Sequence, residues 1–208
     1  MSVLAMVATM IAAYFLGSCP TSFLVAKAVK GIDIRQHGSG NAGATNTARV
    51  VGKLPGLFVL IVDVGKGWVA AGPLVVWSQA AGLTVPPETA RAVFGLCAVC
   101  GHIWSPFLGF HGGKGVATAL GVLLGLSPAL AGLAAAVWIG TAVASRYVSA
   151  ASIAAVTIVP IVMALTARPF IWVAVSAALC VIIVAKHRAN IVRLLHGEEH
   201  RLGAVPRS

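Results

Sequence analysis

Five short segments hold most of the residues able to do chemistry in this 208-residue chain. The first reads His37-Gly38-Ser39-Gly40-Asn41-Ala42-Gly43-Ala44-Thr45-Asn46, with Arg49 just after it. Its glycines allow tight backbone shapes and close approach to a ligand. Ser39, Asn41, Thr45 and Asn46 add neutral hydrogen-bonding groups, and Arg49 adds a fork that fits phosphate or carboxylate. The second pairs Gly101-His102 with Phe107-Leu108-Gly109-Phe110-His111-Gly112-Gly113-Lys114-Gly115, directly before an apolar helical run. Glycines and a lysine at a helix start make an anion site, because free N–H groups and the positive helix end point the same way. The third is Lys186-His187-Arg188-Ala189-Asn190-Ile191-Val192-Arg193, then Gly197-Glu198-Glu199. A membrane anchor would need only the cations. His187 and Asn190, three apart on one helical face, need another reason. The fourth is Asp63-Val64-Gly65-Lys66-Gly67 inside an apolar run, where ionisable groups are costly and mark function, or else pair with each other. The fifth is Ser145-Arg146-Tyr147-Val148-Ser149, a turn whose arginine either binds an anion or only orients the chain.

Several chemistries are excluded. Aspartate occurs only at Asp33 and Asp63, so no catalytic triad assembles, and no Cys or His spacing suits a metal. Cys97 and Cys100 form a single C-x-x-C in an apolar helix and read as buried small residues, like Cys19 and Cys180. Gly115 follows Lys114 where a nucleotide-binding loop needs Ser or Thr, and Gly109 is displaced by one from that loop's first glycine. The aromatic residues lie within apolar runs rather than among the cations, which argues against nucleic acid.

The elements that position these segments are apolar helices. The chain is 59% hydrophobic and 10% charged, against about 25% charged in a soluble domain. Lipid is therefore its solvent, and the length suits one domain of residues 1–208. Apolar runs and breakers predict seven helices: Val3 to Val29, Leu54 to Ser78, Glu88 to Ile103, a short one ending near Ser127, one from Pro128 to near Arg146, one from Ser149 to Leu165, and one from Pro169 to near Lys186. Polar loops fill Lys30 to Lys53 and Trp104 to Gly115, and a basic tail follows Lys186. The first run is long and has no basic leader, so it reads as a retained helix rather than a signal peptide. With the N-terminus outside, 12 of the 15 cations, Arg207 among them, fall at the cytoplasmic side. Arg91 and Arg168 fall opposite, and Lys66 lies within a helix. Every unusual polar motif then meets one membrane face.

The segments GSGNAGATN, GHIWSPFLGFHGGKGVAT and KHRANIVRLLHGEE, in this order and at this spacing, resemble the signature regions of the bacterial membrane glycerol-3-phosphate acyltransferases that use acyl phosphate, the PlsY family. The likeness covers nearly the whole chain. It implies an all-α, seven-helix protein of the bacterial inner membrane, with the N-terminus outside and the active site facing the cytoplasm. It implies acyl transfer from acyl phosphate to the 1-hydroxyl of glycerol 3-phosphate, giving lysophosphatidic acid and phosphate without cofactor or metal. It leaves room for a partner in the enzyme that forms the acyl phosphate. By the same resemblance, Ser39, Asn41, His187 and Asn190 are the catalytic candidates. Thr45, Asn46, Arg49, Lys66, Gly112, Gly113, Lys114, Gly115, Arg146, Lys186 and Arg188 are the candidates for substrate phosphate, and Asp63 and Glu199 are structural. Glu198 stands where the family usually has a small polar residue. Acyltransferases that use thioester donors carry H-x-x-x-x-D, and no histidine here has aspartate five positions on, which agrees with an acyl-phosphate donor.

Two phosphorylated substrates would explain the surplus of cations without a nucleotide. The donor is already an activated anhydride, so positioning and charge stabilisation suffice. His187 is one candidate base and a substrate phosphate the other; the absence of an aspartate beside the histidine favours the phosphate. The alternative function is a membrane transporter of a phosphorylated or other anionic solute, to which broken helices and an intramembrane ion pair are also suited.

Overall fold

The computed structural model describes residues 2–203, so Arg207 of the charge count lies outside the described residues. The chain is all-helical there and divides into two units, 1–128 and 129–208.

The first unit holds α1 (Ser2–Ser18), α2 (Thr21–Lys30), α3 (Ala44–Val50), α4 (Lys53–Ala71), α5 (Pro73–Ala80), α6 (Pro87–Ile103) and α7 (Val116–Leu126). The first two predicted helices are each broken. Pro20 and Pro73 have no N–H for the helical ladder and crowd the preceding turn, so the chain breaks between α1 and α2 and between α4 and α5. Each pair still reads as one apolar span of 28 residues. Arg91 of α6 explains two of the helix ends. It donates Nη1 to the Ala71 carbonyl at the end of α4 and to the Gly125 carbonyl near the end of α7. A cation on carbonyls that the helices leave unpaired is favourable. Arg91 is therefore a cap, which accounts for its exception to the charge bias.

Close packing without bulky side chains joins these helices, as membrane helices require. A Cβ on Gly67 of α4 would collide with the Thr118 carbonyl of α7, and one on Gly121 of α7 with the Val64 carbonyl of α4. Elsewhere Ala13, Ala70, Val75, Ala90, Phe94 and Ala98 form a buried apolar cluster.

The second unit holds α8 (Pro128–Ser145), α9 (Val148–Leu165), α10 (Phe170–Lys186) and α11 (Arg188–Leu195). Trp138 of α8 donates Nε1 to Ser152 Oγ of α9 at 3.1 Å. The predicted basic tail begins as a helix: α11 continues from α10 through a 58° bend at His187, whose backbone leaves the helical range.

Each of the seven predicted apolar segments has a helical counterpart. Five are long and apolar enough to cross a membrane, and six if the bent α10–α11 pair counts as one. The remaining one, α7, has 11 residues and a length of about 16 Å, against roughly 30 Å of hydrocarbon. Large apolar side chains such as Leu54, Ile61, Val143, Leu165, Phe170 and Val181 are exposed, as lipid-facing positions are.

Candidate active site

In the first unit the long polar loop is a framed structure. Asp33 accepts the Arg35 backbone N–H at 3.0 Å and opens a single 3-10 turn, Ile34–Gln36. The Arg35 guanidinium lies 2.7 Å from Asp33 Oδ2, and this bond holds the Asp33 carboxyl below its usual range. Arg35 also donates Nη1 to the Leu108 carbonyl at 3.0 Å, tying the first glycine segment to the second. Asn46 is buried. Its Oδ1 accepts the Ser39 N–H at 2.9 Å, and its Nδ2 donates to the carbonyls of His37 at 2.9 Å and Ile34 at 3.3 Å. Both ends of its amide take part in shaping the loop. Gly38, at φ 61°, lies so close to Asn46 Oδ1 that no side chain fits. Thr45, Asn46 and Arg49 sit on α3 rather than in a loop, and α3 is fixed to α2 by a 2.7 Å hydrogen bond between Thr47 and Ser22. Ser39, Thr45 and Arg49 are exposed, Asn41 is half-buried, and Thr45 and Arg49 share one helical face.

The second glycine segment returns onto the end of α6. Gly112 donates its N–H to the Ile103 carbonyl at 3.0 Å, and Gly113 donates to the His102 carbonyl at 3.1 Å. Both amide N–H groups thus have backbone partners in this structure. These glycines let the loop lie against α6, where a Cβ on either would strike His102. Gly115, at φ 87°, caps the start of α7, and Lys114 beside it is half-buried.

Asp63 and Lys66 are buried and paired, Oδ1 to Nζ at 2.7 Å. Lys66 also donates to the Cys19 carbonyl at 2.7 Å, next to the break at Pro20. The ion-pair reading holds for these two: the Lys66 side chain is 4% exposed and its ammonium is shared between α4 and the end of α1. His102 Nδ1 stands 3.8 Å from the same carboxylate oxygen. Asp63, His102, Ser105, Ser22 and Gly113 line a small pocket.

In the second unit Glu199 gathers three side chains from two helices, α9 and α11. Its Oε1 accepts Asn190 Nδ2 at 2.6 Å and Ser149 Oγ at 2.9 Å, and its Oε2 accepts Arg193 Nε at 2.8 Å. Burial pushes its carboxyl up, and these bonds outweigh that and hold it below the usual carboxylate range. Glu198 is exposed. His187 is buried, and its Nδ1 lies 2.8 Å from the Ile183 carbonyl. A carbonyl only accepts, so Nδ1 carries a proton. Lys186 is half-buried in the last turn of α10, Arg188 is exposed, and Arg146 stands in the left-handed region at φ 63°. Arg146 Nη2 donates to the Leu202 carbonyl at 3.0 Å.

The sequence profile of a family described as glycerol-3-phosphate acyltransferase matches residues 7–197. The chain belongs to that family. Among curated acyltransferases of this name, that of Desulforudis audaxviator is 47% identical over 97% of this chain and 98% of its own. That of Halalkalibacterium halodurans is 43% identical over 93% of each. Two crystal structures of PlsY, an integral membrane glycerol 3-phosphate acyltransferase, superpose on this chain. Its glycerol 3-phosphate form is 39% identical, with a TM-score of 0.86 over 95% of this chain and 96% of that one. Its lysophosphatidic acid form is 38% identical, with a TM-score of 0.83 over 95% of each. The acyltransferase fold is thus shared nearly end to end, and this chain is an integral membrane protein.

Sequence reasoning did not single out Arg35 or Arg201, whose partners Leu108 and Tyr147 only the fold supplies.

Proposed function

We propose that the protein transfers a fatty acyl group from acyl phosphate to the 1-hydroxyl of glycerol 3-phosphate, giving lysophosphatidic acid and phosphate. The observation that carries this reading is the near end-to-end likeness to an acyltransferase solved in both a glycerol 3-phosphate and a lysophosphatidic acid form. The donor is inferred from the missing H-x-x-x-x-D pattern and from the surplus of cations.

In the first unit, Ser39, Asn41, Thr45 and Arg49 and the head of α7 with Lys114 bind substrate phosphate and its neighbouring oxygens. In the second, Arg146, Lys186 and Arg188 supply further positive charge. The glycerol hydroxyl oxygen attacks the acyl carbonyl carbon, and the bond from that carbon to the phosphate oxygen breaks. Phosphate departs with the bonding pair, and the hydroxyl proton passes to His187 Nε2. The Nδ1 contact to the Ile183 carbonyl orients the ring, which supports His187 as the base. Asn190, its amide oriented by Glu199, stabilises the oxyanion.

The chain crosses a bacterial cytoplasmic membrane seven times, with its N-terminus outside and its reactive segments on the cytoplasmic face. The distribution of cations supports this orientation, and α7 is the short seventh crossing. The helix breaks that suggested a transporter have local explanations in the carbonyls held by Lys66 and Arg91. Purified protein in detergent, given glycerol 3-phosphate and palmitoyl phosphate, should form lysophosphatidic acid. Solute flux into proteoliposomes without that product would support the transporter.

A further inference from the structure

Arg146 is one of three non-glycine residues with positive φ among the described residues. A conformation of that kind costs of order 1 kcal/mol or more and persists where surrounding contacts impose it. The contacts come from residues 199–202. The Leu202 N–H donates to the Arg146 carbonyl at 2.7 Å, and Arg146 Nη2 donates back to the Leu202 carbonyl at 3.0 Å. One step along, Arg201 Nε donates to the Tyr147 hydroxyl at 3.0 Å, and the guanidinium stands over the Tyr147 ring, 5.5 Å from its centroid. Two steps further, Ser149 donates to Glu199. The strap thus runs antiparallel to the turn, matching 146 with 202, 147 with 201 and 149 with 199. Its Glu199 end also holds Asn190.

We infer that residues 199–202 form a positioning strap, and that Arg201 and Tyr147 are positioning residues that set the Arg146 guanidinium for a substrate phosphate. This rests on Arg146 binding a substrate anion, as proposed above. One guanidinium nitrogen is committed to the Leu202 carbonyl, which fixes the direction of the other donors. A fork held in advance loses less freedom when it meets phosphate. The strap's two ends should therefore act on different kinetic constants: the Arg201 end on binding, through Arg146, and the Glu199 end on turnover, through Asn190.

The test is steady-state kinetics of the full-length protein in detergent, varying each substrate in turn, with thermal unfolding measured beside it. Arg146→Ala identifies the substrate whose KM depends on that residue. Arg201→Ala should raise the KM of the same substrate about three- to ten-fold, the worth of a lost cation–π contact and hydrogen bond, with kcat and the unfolding temperature nearly unchanged. Arg201→Lys, which keeps a cation over the ring, should recover most of the loss. Tyr147→Phe keeps the ring and removes only the hydroxyl, so it should raise the same KM by a smaller factor even if Arg201→Ala does not fold. Unchanged KM in both Arg201→Ala and Tyr147→Phe, or a loss of activity that only follows loss of folded protein, overturns the strap's role. If Arg146→Ala leaves both KM values unchanged, the anion-binding reading of Arg146 fails first and the strap's role falls with it.

Discussion

Asn190 donates its side-chain N–H to Glu199 Oε1 at 2.6 Å, and the same oxygen accepts the Ser149 hydroxyl at 2.9 Å. One carboxylate oxygen therefore anchors α11 to the first turn of α9, while Oε2 takes Arg193. Glu199→Gln keeps the shape but turns an N–H toward Arg193 or Asn190 and removes the charge. Charge-assisted bonds of this kind are worth roughly 1.5–3 kcal/mol, so kcat should fall about ten- to a hundred-fold. Glu198→Gln, at an exposed position, should stay near wild type. Initial rates at saturating substrate decide between the two glutamates.

The same carboxylate ties stability to acidity. Its folded pKa lies below the ordinary value of 4.5, so its contribution is present above that value and is lost as the pH falls through the folded one. Thermal unfolding in detergent should be flat from neutral pH to about 5 and should drop below the ordinary carboxylate range. Glu199→Gln should begin from a lower stability and show a shallower drop, the remainder coming from groups such as Asp33.

Asp63→Ala would leave the Lys66 ammonium buried beside the Cys19 carbonyl without its counter-charge. Breaking a buried pair at one partner costs about 3–5 kcal/mol, so the variant should unfold well below the wild type. Replacing both by apolar residues, as in Asp63→Leu with Lys66→Met, should recover part of the loss. Unfolding temperatures of the three proteins check this.

His187→Ala should lower kcat by about a hundred-fold or more, the range of a lost general base, with smaller changes in KM. Turnover close to wild type would give the proton to a substrate phosphate instead. A pre-steady-state time course separates the chemical step from product release.

How much of this the sequence revealed follows from where each partner lies. The apolar runs announced the helices, because lipid leaves the backbone no other way to satisfy itself. The breaks at Pro20 and Pro73 were read through, since both lie inside runs that still make one span. The helix α3 was taken for loop: its small polar residues suit both, and what fixes it is the Ser22–Thr47 bond to a separate helix. The glycine segments were legible as segments but not in their division of labour. Gly112, Gly113 and Asn46 turn inward to backbone partners, while Ser39, Thr45 and Arg49 are exposed. His187 lacked an aspartate to orient it, and the sequence pointed away from it for that reason. Its orienting group is the Ile183 carbonyl, which carries no side-chain signature. The second partner of Lys66, the Cys19 carbonyl, is hidden from the sequence for the same cause. Spacing did offer the Asp63–Lys66 pair as one of two readings, because three residues on a helix is contact distance.

The most direct test of the account is acyl transfer by the purified protein with the donor varied. Glycerol 3-phosphate is supplied with palmitoyl phosphate or with palmitoyl-CoA, and lysophosphatidic acid and released phosphate are followed together. The account predicts equal amounts of both products from palmitoyl phosphate, none from palmitoyl-CoA, and loss of both in Lys114→Ala. Folded protein that makes lysophosphatidic acid only from the thioester, or from neither donor, would contradict it.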